Sequence, residues 1–190
     1  MLRGLALGVS AGQMLQVVGK NGAGKTSLLR ALCGMLYLEE GRVLWDGHDV
    51  RHDLPAFHGS LTYLGHEPPL KADLTVDENL RYWVGLRRRV TLPQLASALE
   101  TAGIAGLAER LVRTLSAGQK RRVALAALTL FAAPLWLLDE PTTHLDASGH
   151  QLVAQLIEQH VRAGGLAIAA LHHDIPINAQ LVRRLELSAT

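Results

Sequence analysis

The chain has 190 residues, enough for one domain with a sizeable core, and its 48% apolar and 19% charged content is that of a globular protein, not a disordered one. A formal net charge of +2 is too small to point to nucleic acid as a partner. The single cysteine, Cys33, excludes an internal disulfide, fits a reducing compartment and is expected to pack as a small hydrophobe.

The start, MLRGLALGVSAGQ, carries one Arg and a short apolar stretch, only a faint likeness to a signal peptide. MLQVV (14–18) is an apolar run that reads as a buried strand. GKNGAGKT (19–26) follows it and matches G-x-x-x-x-G-K-[ST] between a strand and a helix, the context that pattern requires. Gly19, Gly22 and Gly24 let the backbone turn tightly. Lys20, Asn21, Ala23 and Ser27 complete a loop whose N–H groups can converge on phosphate oxygens at the next helix start. Lys25 supplies positive charge at the β and γ phosphates, and the Thr26 hydroxyl can ligate Mg²⁺, a hard cation that favours oxygen. A chance glycine turn is the competing reading, but it does not explain the flanking strand and helix.

TSLLRALCGM continues with helical spacing, and GRVLWDG (41–47) and SLTYL (60–64) read as short strands. TVDENLRYWVGL opens with Thr75 and Glu78 in capping-box spacing. TLPQLASALETAG (91–103) has a cap at Thr91, an early Pro93 and a stop at Gly103. In LSAGQKRRVALAAL (115–128), Ser116 and Gln119 form another capping box, so the pentad LSAGQ opens a third helix. Taken locally, that helix start explains the pentad without any ligand. LWLLD (135–139) is a dense apolar run, a strand covered on both faces. A helix is expected from about 147 to 161, then a further buried strand, LAIAAL (166–171). No apolar run spans a bilayer, since VALAALTLFAAPLWLL is broken by Pro134. The chain is therefore expected to be soluble, or to reach a membrane through another chain.

Alternating buried strands and helices predict an α/β fold with a mostly parallel sheet and helices on both sides. The helical stretch at about 71–130 interrupts the alternation and reads as an inserted lobe of one domain, 1–190. Asp139 ends a buried strand, so it points into the crevice where such sheets bind ligands and is a candidate for Mg²⁺. Glu140, next to it, can accept a proton from an attacking water; its other reading is a solvated helix-lead residue. His172 and His173 have a polar strand end as their alternative reading. Neither they nor His144 and His150 have zinc spacing, so no structural metal is expected.

GKNGAGKT, then LSAGQ, then LWLLDEP with PTTHLD, in that order over nearly the whole chain, resembles the ATP-binding cassette (ABC) ATPases. The resemblance implies a P-loop NTPase core with a RecA-like parallel sheet, and ATP with Mg²⁺ as ligands. It implies a second copy as partner, the two cassettes pairing head to tail. Leu115, Ser116, Ala117, Gly118 and Gln119 then match the family signature and close over the ATP held by Lys25 of the partner subunit. Asp146 matches the D-loop at the dimer seam, and His173, with Asp174 after it, the switch histidine. Hydrolysis by Glu140 reopens the dimer, a change read by a transmembrane permease. Such a subunit sits on the cytoplasmic face of the inner membrane without entering it.

Two departures narrow the resemblance. His66, followed by Glu67, stands where most cassettes carry the Gln of the Q-loop. YLGHEPPLKADLT, with the motifs above, is similar to the ATPase subunits of the haem exporters of cytochrome c maturation. Cassettes for lipid, metal or drug export share most of these motifs, and a non-transport ABC module or an inactive cassette are further alternatives. Residues 1–18 contain no Phe, Tyr or Trp. The family's leading strands, with their adenine-stacking aromatic, are therefore expected to be truncated here, and ATP to be held more weakly.

Overall fold

A computed structural model gives the structure of residues 4–188; the first three residues of the apolar start, and 189–190, lie outside the described residues. The elements run β1 (Met14–Val18), α1 (Lys25–Leu32), β2 (Leu44–Trp45), β3 (His48–Asp49), α2 (Leu54–Ser60), β4 (Leu61–Leu64), α3 (Val76–Gly85), α4 (Leu92–Thr101), α5 (Ala117–Phe131), β5 (Leu135–Asp139), α6 (Ala147–Arg162), β6 (Leu166–Ala170) and β7 (Val182–Glu186). Five strands form one sheet in the order β4-β5-β6-β1-β7, every neighbouring pair parallel. The fold is the expected α/β P-loop NTPase.

The apolar runs become central strands because both of their faces are covered. Alternate residues divide between two cores. Met14, Trp136, Leu138, Ala167 and Ala169 face α5 and α6, whereas Leu15, Val17, Leu135, Leu137 and Ile168 face α1 and α2. A third cluster joins α3 and α4 to one side of α5 through Val76, Leu80, Leu95, Leu99, Val123 and Ala127. Helix α5 therefore has two apolar faces, and Ala124, Leu125 and Leu128 bring its other side onto the sheet.

The caps that the spacing predicts are present. Thr75 with Glu78, Thr91 with Gln94 and Ser116 with Gln119 each form reciprocal side-chain bonds. Three elements differ from expectation. The single strand at 41–47 is instead a hairpin of β2 and β3, turned by Asp46 and Gly47, both at positive φ (49° and 81°). Helix α2 was unforeseen because only Phe57 in it is buried, which leaves no apolar stripe; Asp53 caps it by accepting from the Ala56 N–H. Strand β7, VRRLE, escapes a reading by apolar density because it is a half-exposed edge.

Leu137 lies in β5 with no solvent exposure, whereas Leu92 at the start of α4 is 65% exposed. Leu137→Ala should lower unfolding free energy in urea by about 2–5 kcal/mol, and Leu92→Ala should change it by less than about 0.5 kcal/mol. Equal losses would contradict the assignment of β5 to the centre of the core.

Candidate functional site

The glycine loop turns from β1 into α1 at the carboxyl end of the sheet. Gly24 is the N-cap of α1 in the left-handed region (φ 95°), with no side chain capping the helix, so the first-turn N–H groups stay open. A Cβ on Gly19 would stand 2.5 Å from the Leu187 carbonyl oxygen, so only glycine fits there. Lys20, Asn21 and Gly22 are exposed at the tip, Ala23 is buried, and Ser27 is half-buried in α1. The Lys25 side chain is buried and folds back onto its own loop, its Nζ donating to Gly19 O at 2.8 Å and Lys20 O at 3.3 Å.

The second half of the site arrives with β5. Asp139 is buried, and its two carboxylate oxygens accept from the Thr26 hydroxyl (3.1 Å) and the Tyr63 hydroxyl (3.3 Å). Burial and the Asp139 charge both push the Tyr63 phenol up, so it stays a donor. Thr26 and Asp139 thus present a hydroxyl and a carboxylate on facing elements, an oxygen pair that suits a hard divalent cation beside phosphates. Among the described residues no cluster of three or more His, Cys, Asp or Glu could hold a metal on protein ligands alone.

Glu140 leaves β5 at φ 49°, a left-handed conformation that costs energy for a side chain of this kind. Its N–H bonds to Ala170 O at 3.0 Å. One carboxylate oxygen lies 2.5 Å from His172 Nε2; the other accepts from Thr143 Oγ1 at 3.3 Å and lies 3.7 Å from His66 Nδ1. Burial alone would raise the Glu140 carboxyl, but the bond to His172, the charges of His172 and His66, and Thr143 outweigh it and hold it below its ordinary value. The carboxylate is therefore ionised and able to accept a proton.

The expectation for His173 needs correction, because the structure brings His172 to Glu140 instead. Leu171 bonds through its N–H to Val17 O and buries its side chain, so the next residue is the first to emerge beside Glu140. Asp174, on which the choice of His173 rests, accepts from Gln16 Nε2 (2.8 Å) and Arg184 (3.4 Å), away from that carboxylate. His173 is exposed.

In the pentad, Leu115 is buried with the α3–α4 cluster while Ser116 and Ala117 are exposed. A Cβ on Gly118 would come within 2.7 Å of His144 O, so the absence of a side chain lets the helix start pack on the 143–146 turn. Asp146 caps α6, accepting from Gly149 N–H and Ser148 Oγ at 2.8 Å each; the first of these, then the second, lowers its carboxyl. Arg122 reaches Ser148 Oγ (2.9 Å) and Asp146 (3.5 Å). Glu67 is exposed beside His66.

Arg121 escaped the sequence reading. It is 2% exposed, and its guanidinium donates to the carbonyls of Pro141 (3.1 Å), Gly65 (2.8 Å), His66 (3.3 Å), Asp139 (2.9 Å) and Glu140. Burial lowers its pKa to about 10, against the pull of Asp139 and Glu140, so it remains charged at neutral pH. The signal was there in the sequence: Arg121 shares the face of α5 that carries Ala124, Leu125 and Leu128 at i+3, i+4 and i+7.

Residues 2–143 match the family described as ABC transporter. The chain is 46% identical over 99% of its length to the cytochrome c biogenesis ATP-binding export protein CcmA of Methylococcus capsulatus, covering 91% of that protein. It is 42% identical to the protein of the same name from Hahella chejuensis, over all of this chain and 89% of that one. Its fold is similar to that of cbiO1 from Clostridium perfringens, part of the ABC transporter complex cbiONQ. The TM-score is 0.77 and the identity 26%, over 92% of this chain and 73% of that one. Among the described residues no helix is long and apolar enough to cross a membrane.

A carboxyl lowered in the folded state binds its proton less tightly than in the unfolded chain. The Glu140 contact is therefore fully present above the ordinary carboxylate value and is lost as pH falls through the lowered one. In His172→Ala, carbon-detected NMR titration should show the Glu140 carboxyl moving to higher pH; His173→Ala should leave it in place. The opposite pattern would restore His173.

Proposed function

The chain belongs to the ABC transporter family, and within it to the cytochrome c biogenesis ATP-binding export proteins, and on that premise we propose that it is the ATP-hydrolysing subunit of the haem exporter serving c-type cytochrome assembly. One observation carries the chemistry: Thr26, Asp139, Glu140 and His172, from three separate segments, converge at the open end of α1.

The triphosphate lies over the glycine loop, its oxygens taken by the free N–H groups of α1. Lys25 turns from the carbonyls of Gly19 and Lys20 to the β and γ phosphates. Thr26 and Asp139 are the residues that would hold Mg²⁺, which when bound neutralises charge on the phosphate oxygens. Glu140 orients a water and takes its proton as the water oxygen bonds to the γ-phosphorus. The bond from that phosphorus to the β–γ bridging oxygen breaks, and ADP and inorganic phosphate leave. His172 holds the carboxylate from the side.

The exposed start of α5 supports a role in trans. Ser116, Ala117, Gly118 and Gln119 form a helix N-terminus that suits an anion. In the reading favoured here it closes over the γ-phosphate held by Lys25 of the partner subunit, with Asp146 at the seam. Two chains then enclose two Mg·ATP, and hydrolysis separates them. A transmembrane permease reads that change through the loop carrying His66 and Glu67 and the helical lobe beside it. On this reading the chain works at the cytoplasmic face of the membrane, held there by its partner.

Glu140→Gln should bind ATP as the parent does but slow single-turnover hydrolysis by roughly 10²–10⁴, whereas Lys25→Ala should lose affinity for the triphosphate. Unchanged single-turnover rates in Glu140→Gln would remove Glu140 from the role of base.

Ser116→Arg should remain folded, losing a helix cap worth about 0.5–2 kcal/mol, and should still bind ATP through its own loop. Its turnover should nevertheless vanish, because the added side chain blocks the partner's phosphate. Turnover equal to that of the parent would defeat the trans arrangement.

A further inference from the structure

Helix α5 does more than present a capped end. Its first turn leans on the 143–146 turn through Gly118, whose missing side chain lets His144 O approach. One turn later, on the same side of the helix, Arg121 reaches into the protein. Its five carbonyl partners belong to two separate segments: Gly65 and His66 just after β4, and Asp139, Glu140 and Pro141 at the end of β5. His66 and Glu140 are also the residues whose side chains approach each other at 3.7 Å. The guanidinium therefore holds the backbones from which both side chains spring. Glu140 needs such holding, since its left-handed backbone is not one an acidic side chain adopts for its own sake.

A planar guanidinium can serve several carbonyls at fixed angles, which a single ammonium cannot. We propose that Arg121 is a positioning residue for hydrolysis: it locks the backbones of His66 and Glu140 to the helix that begins at the pentad, so that the carboxylate stands where the attacking water must be. Glu140 and the pentad are thus two ends of one splint. A phosphate seated on the start of α5 from the partner subunit bears on the same chain's Glu140 through Arg121. The inference rests on the ATPase reading above.

The test compares Arg121→Lys and Arg121→Gln with the parent chain, and with Arg87→Lys as a matched control. Arg87 donates to Leu61 O, at the opposite end of β4 from Gly65. Melting curves establish folding, and nucleotide titration and single-turnover hydrolysis separate binding from chemistry. Arg121→Lys should bind ATP within about twofold of the parent while hydrolysis falls about 10- to 100-fold, the penalty of a small misplacement. Arg121→Gln should fall at least as far, and Arg87→Lys should hydrolyse as the parent does. An Arg121→Lys chain that hydrolyses at the parent rate overturns the proposal. So does one that loses affinity and keeps its rate, and so does unfolding of both Arg121 variants, which would make the residue structural only. A parent chain without turnover defeats the ATPase reading and this proposal with it, whereas an active parent matched by its variants defeats the proposal alone.

Discussion

A positive charge buried in the protein needs acceptors, and Arg121 finds them in five backbone carbonyls. Those carbonyls lie at the last residue of β5 and in the two stretches that leave the sheet beside it, the loop after β4 and the turn after β5. A parallel sheet leaves the carboxyl ends of its strands open, and a binding crevice forms there for that reason. Open ends are also free to wander. Desolvating one guanidinium among them exchanges freedom for a defined placement of Asp139, Glu140 and His66.

The other side of the crevice is held differently. The glycine loop presents the first-turn N–H groups of α1, and Lys25 donates to carbonyls of that same loop. The capping box at Ser116 and Gln119 satisfies two backbone groups of α5, with Ser116 and Ala117 exposed beside it. On the proposed reading, one chain carries a loop that holds phosphates and a separate helix start that meets the far side of those on the partner subunit. The exposure of Ser116 and Ala117, beside a buried Leu115, is what a surface meant for a second chain would look like.

Much of this was legible beforehand, for identifiable reasons. The phosphate loop, the two carboxylates at the end of β5 and the three capping boxes are local patterns whose physics is complete within a few residues. The central strands announced themselves by unbroken apolar runs. What failed to show was either exposed or long-range. Strand β7 alternates at an open edge, and α2 buries one aromatic. The choice between His172 and His173 depends on which residue first emerges after Leu171 is drawn to Val17, a matter of register between β6 and β1. Arg121 looked like one of three basic residues in KRR until its face of the helix was set beside Leu125 and Leu128.

The central claim is that the catalytic carboxylate and the pentad belong to different composite sites, so that nucleotide joins two chains. Sedimentation velocity of the Glu140→Gln chain, with and without Mg·ATP, tests it most directly, because slow hydrolysis leaves the joined state populated. The account expects a monomer without nucleotide and a dimer with it, and no dimer when Ser116→Arg is added. A Glu140→Gln chain that binds ATP stoichiometrically and still sediments as a monomer, from a parent whose turnover per chain does not change with protein concentration, would contradict it.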